Sequence, residues 1–174
     1  MHRAWACASA SIASASGSTA SCSIICLVIA CACDLRIAAR GARFGFVFPK
    51  VGLSGADMGV TYLLPRIVGL GHASELLFFG DIIDAAHAER IGLVNRLVDG
   101  DPVQAGIAYA REFSGHSLPV LGLAREAVMR ALDTPVSEGL KIEADLSTLA
   151  FRTEDATEGM SAFIEKRKPS FKDR

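Results

Sequence analysis

The first acidic residue of this chain is Asp34. Ahead of it, residues 1–33 carry only His2 and Arg3 as possible cations, are rich in Ala and Ser, and hold all five cysteines, Cys7, Cys22, Cys26, Cys31 and Cys33. A segment without alternating charged and apolar positions has no pattern from which to choose a buried and a solvated face. The folded body is therefore expected after about residue 30, as a mixed region over 31–100 and a helical region over 101–174, with 1–30 as an atypical start.

That start has three readings: misread or non-native sequence first, a transit peptide second, a secretory segment third. For the third, Ile24–Ala30 is the short apolar core, and Val28, Ile29, Ala30 and Cys31 resemble a lipoprotein cleavage site. The run is far shorter than the ~20 residues that a spanning helix needs. A cytoplasmic protein is expected, with the mitochondrial matrix as the alternative.

Cysteines confined to the start cannot staple the body, and their spacing lacks the paired C-x2-C of zinc sites, so neither a disulfide framework nor a metal is expected. With 174 residues, 51% of them apolar, the chain is long enough for one real core. A net charge of −1 gives no electrostatic reason to expect nucleic acid or a membrane surface as partner.

Within the body, Leu35–Ala38 and Phe44–Phe48 read as short strands around the turn Arg40–Arg43. The Gly-rich loop from Pro49 to Ala56 then leads to Asp57, and Met58–Leu64 suits a helix until Pro65 interrupts it. Gly71–Phe79 reads as a helix stopped by Gly80, Asp84–Ile91 as a helix capped by Asp84, and Leu93–Val98 as a strand. Beyond Asp101 only helical spacing remains, over Pro102–Ser114, Pro119–Leu132, Val136–Phe151 and Asp155–Lys166.

Asp57 is the foremost catalytic candidate. A carboxylate at a helix start can be a plain N-cap, worth about 1 kcal/mol. The neighbouring Gly52, Gly55 and Gly59 also permit a ligand to approach closely, which a cap does not require.

Five blocks carry a resemblance in order: ACDLRIA, ARFGF, the Gly-rich loop before LLPRIVG, ASELLFFGDIIDAAHAERIGLVNRLV, and EGMSAFIEKRKPSFK. Over residues 31–174 the chain resembles the enoyl-CoA hydratase/isomerase, or crotonase, family. The resemblance implies an α/β fold, a partial spiral of ββα units with a C-terminal helical trimerisation region. It also implies acyl-CoA thioesters as substrates, no cofactor beyond the CoA carrier, and a homotrimer or hexamer. Two backbone N–H groups would hold the thioester oxygen as it becomes an enolate while carboxylates move protons.

Carried over residue by residue, the resemblance places one family glutamate at Val28 and the other at Phe48 or Pro49, none of which can transfer a proton. The second oxyanion N–H falls on the backbone of Ile25, among the bulky Ile24 and Cys26. The family's first third, with the other oxyanion N–H, has no counterpart, which implies a truncated or mistranslated member. Asp57 matches a position where dienoyl-CoA isomerases and chlorobenzoyl-CoA dehalogenases carry a working aspartate. Gly52 and Gly55 are expected to line the substrate; the run Lys166–Lys168 is ordinarily a solvated face, but the resemblance makes Lys166 a candidate for the CoA phosphates of a neighbouring subunit.

His72, His87 and His116 lack neighbouring acids or nucleophiles and are expected to serve as surface or capping residues. Ser54 lacks the spacing of a hydrolase elbow. Three functions stay open: an acyl-CoA hydratase or isomerase using Asp57, a non-catalytic assembly module, and a fragment without function.

Overall fold

The computed structural model describes residues 24–174, with side chains from residue 27. These residues form two compact units, one ending at Ala110 and one over Arg111–Arg174.

The first unit begins with α1, Ile24–Cys31. A short apolar run does not reveal by periodicity whether it is a buried strand or a buried helix. Here it is a helix whose Leu27 and Val28 are each 2% exposed and join Phe46, Val60, Leu64 and Leu93 in the core. Strand β1, Ile37–Ala39, pairs in parallel with β4, Arg96–Val98, while β2, Arg43–Phe44, pairs antiparallel with β3, Ile83–Asp84. The parallel pair needs a long crossover, and the helices α2 and α3 provide it. The α/β class expected from the sequence holds.

Each of the three expected strands is shorter than its pattern predicts, and β3 is not expected from the sequence at all. The expected strand Phe44–Phe48 stops at Phe44, because its only ladder partner is the two-residue β3 and because Pro49 is the second residue of a 3-10 turn over Phe48–Val51. Leu93–Val98 shrinks to Arg96–Val98. Ahead of it the Asn95 side chain accepts the Arg36 N–H at 2.8 Å, and the Asn95 N–H donates to the Arg36 carbonyl at 2.8 Å. Leu35–Ala38 shifts to Ile37–Ala39, since Arg36 is drawn into a clamp instead: its guanidinium donates to the carbonyls of Leu93 and Cys33, each at 2.7 Å.

Helix α2 spans Val60–Phe79 and corrects the expected break at Pro65. Proline costs one hydrogen bond, yet the helix continues through it. The chain leaves helical geometry at Gly69 instead, at φ 79 and ψ 158, a region that is essentially glycine's alone. Gly80 ends α2 at φ 62, its N–H donating to Leu76 as expected of a helix-stopping glycine. Helix α3, Ala85–Arg90, is capped by Asp84, whose Oδ1 accepts the His87 N–H at 2.8 Å, also as expected.

Helix α4, Pro102–Glu112, closes in a 3-10 turn over Phe113–Gly115. The second unit holds α5, Leu118–Ala131, α6, Val136–Phe151, and α7, Glu154–Ile164, each within two residues of its expected bounds. Thr153 caps α7 through the Ala156 N–H. Among the described residues no helix is long and apolar enough to cross a membrane.

Candidate active site

Asp57 is exposed at the end of the loop that precedes α2. It is not the formal N-cap, a role that falls to Gly59; instead Asp57 Oδ1 accepts the N–H of Met58 at 2.8 Å and its carbonyl accepts that of Val60 at 3.1 Å. The other carboxylate oxygen has no protein hydrogen bond among the described residues. Met58 and Gly59 follow with left-handed φ values of 50 and 84. For methionine that conformation costs roughly 1–2 kcal/mol. The carboxylate is thus pinned through one oxygen, faces solvent, and sits beside a strained backbone.

The loop is braced from below. Lys50 pairs with Asp81 at 2.7 Å, and Pro49 packs against Gly80, where an added Cβ would lie 2.9 Å from Pro49 Cγ. Gly52 ends the 3-10 turn at φ 72 with open space around it. Gly55 sits on α2, where a Cβ would come 3.2 Å from Leu77 Cδ2. Both glycines thus have backbone or packing reasons of their own. Ser54 Oγ accepts the Ala56 N–H at 3.1 Å, a local loop bond.

Ile25 lies in the first turn of α1, where backbone N–H groups have no acceptor within the helix. Val28 is buried, so the position to which the resemblance assigns a glutamate is an aliphatic core contact. Phe48 is buried as well, and Pro49 is the second residue of the 3-10 turn. Burial raises the Cys31 thiol to about 11, so it stays protonated and unreactive at neutral pH. The first unit therefore brings Asp57, Gly52, Gly55 and α1 into one body, whereas Lys166 belongs to the other unit.

His72 and His116 are exposed and His87 is half-buried, and His72 has the neighbouring acid that the sequence reading denied it. His72 Nδ1 lies 3.7 Å from Glu75 and its ring meets His87 edge-on at 6.5 Å, while His116 tilts against Phe113. Among the described residues no group of three His, Cys, Asp or Glu side chains is placed to hold a metal.

The helical unit carries a polar network that sequence reasoning missed. Asp155, 2% exposed, accepts Ser117 Oγ at 2.6 Å and the N–H groups of Lys172 and Asp173 at 2.7 and 3.0 Å. The Ser117 hydroxyl chiefly, then those backbone donors, hold its carboxyl below the usual carboxylate range. One turn on, Glu158 takes both terminal nitrogens of Arg167 at 2.6 and 2.8 Å and the Ser170 N–H at 2.9 Å. The available signal was two acids three apart on the face of α7 to which the tail returns. A cavity of about 490 Å³ lies beside the Asp155–Ser117 pair, lined among others by Val120, Leu121, Phe151, Met160 and Phe171.

A family model described as enoyl-CoA hydratase/isomerase matches residues 7–174, starting earlier than the motifs suggested. The chain is 40% identical over 148 residues to the crotonyl-CoA hydratase of Syntrophomonas wolfei, covering 82% of this chain and 55% of that protein. It is 38% identical over 149 residues to the short-chain-enoyl-CoA hydratase of Clostridium acetobutylicum, covering 84% and 56%. Among solved structures, the enoyl-CoA hydratase of Bacillus anthracis superposes with a TM-score of 0.77 at 32% identity, over 83% of this chain and 56% of that one. The chain thus spans little more than half the length of these relatives. By motif order, match and fold together, it belongs to the enoyl-CoA hydratase/isomerase, or crotonase, family.

Proposed function

We propose that this chain acts on acyl-CoA thioesters by enoyl-CoA hydratase/isomerase-type chemistry, with Asp57 as the acid/base. The observation that carries the reading is the Asp57 carboxylate, one oxygen held by the Met58 N–H and the other open to solvent, in a member of this family. The thioester oxygen accepts hydrogen bonds from backbone N–H groups, the first turn of α1 at Ile25 among them. The carbon next to the carbonyl gives its proton to Asp57 as the enolate forms, and Asp57 returns it on protonation. Donors aimed at the developing oxyanion and a placed carboxylate are the two contributions this step needs. Gly52 and Gly55 keep the approach to the loop free of side chains, and CoA arrives as part of the substrate.

Since Val28, Phe48 and Pro49 carry no titratable group, proton traffic falls on Asp57 alone. One shuttling carboxylate suits movement of a double bond better than a hydration that divides its work between two acids. The test is turnover of crotonyl-CoA and of a 3-enoyl-CoA by wild type and Asp57→Asn, with circular dichroism as the control for folding. Asp57→Asn should abolish the reaction and keep the fold.

A second reading rests on the helical unit, where Val136, Phe163 and Ile164 are 81%, 85% and 79% exposed. Such apolar surface favours assembly, as a homotrimer or hexamer, and a module that assembles without catalysis. Sedimentation would then show oligomers while neither substrate is turned over.

A further inference from the structure

At the start of α5 and the end of the chain, three residues have exchanged their ordinary partners. Ser117 is the N-cap of α5, yet its side chain accepts no N–H of that helix. Its hydroxyl donates instead to Asp155 Oδ2 at 2.6 Å, both residues being buried. The tail supplies a substitute: Asp173 Oδ1 accepts the Leu118 N–H, one of the orphan donors of α5, at 2.9 Å. Asp155 holds the same stretch in return. It takes the Lys172 N–H on one carboxylate oxygen and the Asp173 N–H on the other, and its own N–H donates to the Arg174 carbonyl at 3.2 Å. Glu158 holds the Ser170 N–H and Glu154 pairs with Arg174 at 3.1 Å. Among these ties the Phe171 ring lies over Gly159, 3.5 Å from where a Cβ would stand, and forms part of the wall of the cavity of about 490 Å³. Every side chain beyond Phe171 is exposed, so polar ties rather than burial hold the end of the tail.

We propose that residues 170–174 form a strap that opens and closes as one unit over this cavity, with Asp155 as its latch. Ser117 changes partner with it, donating to Asp155 when the strap is closed and accepting an α5 N–H when it is open. Two arrangements of one hydroxyl make a bistable element. Opening gives up the charge-assisted bonds at Asp155 and recovers the N-cap that the closed form lacks. It also lifts the Phe171 ring off Gly159 and bares the side of the cavity formed by Val120, Leu121 and Met160 to an uncharged apolar molecule. The device lies wholly within the helical unit and does not depend on the acyl-CoA reading.

The test is amide hydrogen exchange of the full chain, read residue by residue by NMR, with binding of the uncharged apolar dye N-phenyl-1-naphthylamine measured alongside. In wild type the Leu118, Ser170 and Lys172 N–H groups should exchange together, and faster than those inside α6. Asp173→Ala, at an exposed position, should speed Ser170 and Lys172, which that side chain does not touch, by at least about ten-fold along with Leu118. Helix α6 should keep its wild-type rates and dye binding should rise. The Val120 N–H, the donor a serine cap takes in the first turn, should become slower, and slow no longer when Ser117→Ala is added. Asp173→Asn, which keeps an acceptor for the Leu118 N–H, should behave as wild type. The proposal is overturned by wild-type rates at Ser170 and Lys172 in Asp173→Ala, by α6 loosening with the tail, by a Val120 N–H that gains no protection, by a freed tail without added dye binding, or by Asp173→Asn behaving as Asp173→Ala does.

Discussion

Gly80 joins the end of α2 to the loop that carries Asp57, and Gly80→Ala tests whether that junction is as tight as its geometry indicates. Two separable costs are expected. The left-handed backbone at φ 62 costs an alanine about 1 kcal/mol. The new methyl would also lie 2.9 Å from Pro49 Cγ and 3.2 Å from the Phe46 carbonyl oxygen, beneath a core that holds Phe46 at 0% exposure. Forcing an extra methyl into such a contact costs about 2 kcal/mol, for a total near 3 kcal/mol. Gly52→Ala is the matched control, since Gly52 has φ 72 but nothing within 4 Å of an added Cβ, which leaves only the backbone cost of about 1 kcal/mol. Urea unfolding of the two variants and wild type, followed by far-UV circular dichroism with equal slopes, isolates the steric part as their difference. Equal losses for the two substitutions would refute the reasoning, because Pro49 and Phe46 would then have room to give.

Other consequences follow from single contacts. Asp84→Ala removes the acceptor of the His87 N–H and should cost about 1 kcal/mol in the same urea assay, with Asp84→Asn recovering most of it. The Arg167 guanidinium first, then the Ser170 N–H, lower the Glu158 carboxyl to about 2 from its ordinary 4.5. A carboxylate depressed on folding contributes stability that is full above the unfolded value and is lost as pH falls from about 4.5 to about 2. Tm should therefore decline through that window in wild type and less so in Glu158→Gln. Cys31 has the opposite sign, its thiol raised by burial to about 11 from 9.0, so its contribution is full below pH 9 and lost as pH rises between those values. Alkylation of Cys31 by iodoacetamide at pH 8, read by peptide mass, should be far slower in the folded than in the urea-unfolded chain.

The sequence made the helices legible wherever punctuation and apolar spacing agreed, as at Val136–Phe151 and at Asp84 capping α3. It misled where long-range contacts decide. Pro65 is the strongest breaker in its segment by residue type, yet the helix runs through it and the break falls four residues on, at Gly69. The strands came out short because ladders need partners, and the Arg36–Asn95 exchange replaces a ladder with a side chain, which no period-2 pattern encodes. At the site, Asp57 was visible as a lone acid among glycines, while its bond to Met58 rather than to a third helical N–H was not. The Asp155 and Glu158 clasps depend on where the tail returns, so a local reading of a basic, Pro-containing end had no means to place them.

The most direct test of the account is turnover of enoyl-CoA thioesters by the purified chain, wild type against Asp57→Asn, with circular dichroism recorded on both. A placed acid/base contributes on the order of 10²–10⁴ in rate. The account predicts measurable wild-type turnover and a loss of at least that order in Asp57→Asn with an unchanged spectrum. Equal rates in the two proteins, or a folded wild type with no turnover of either crotonyl-CoA or a 3-enoyl-CoA, would contradict it.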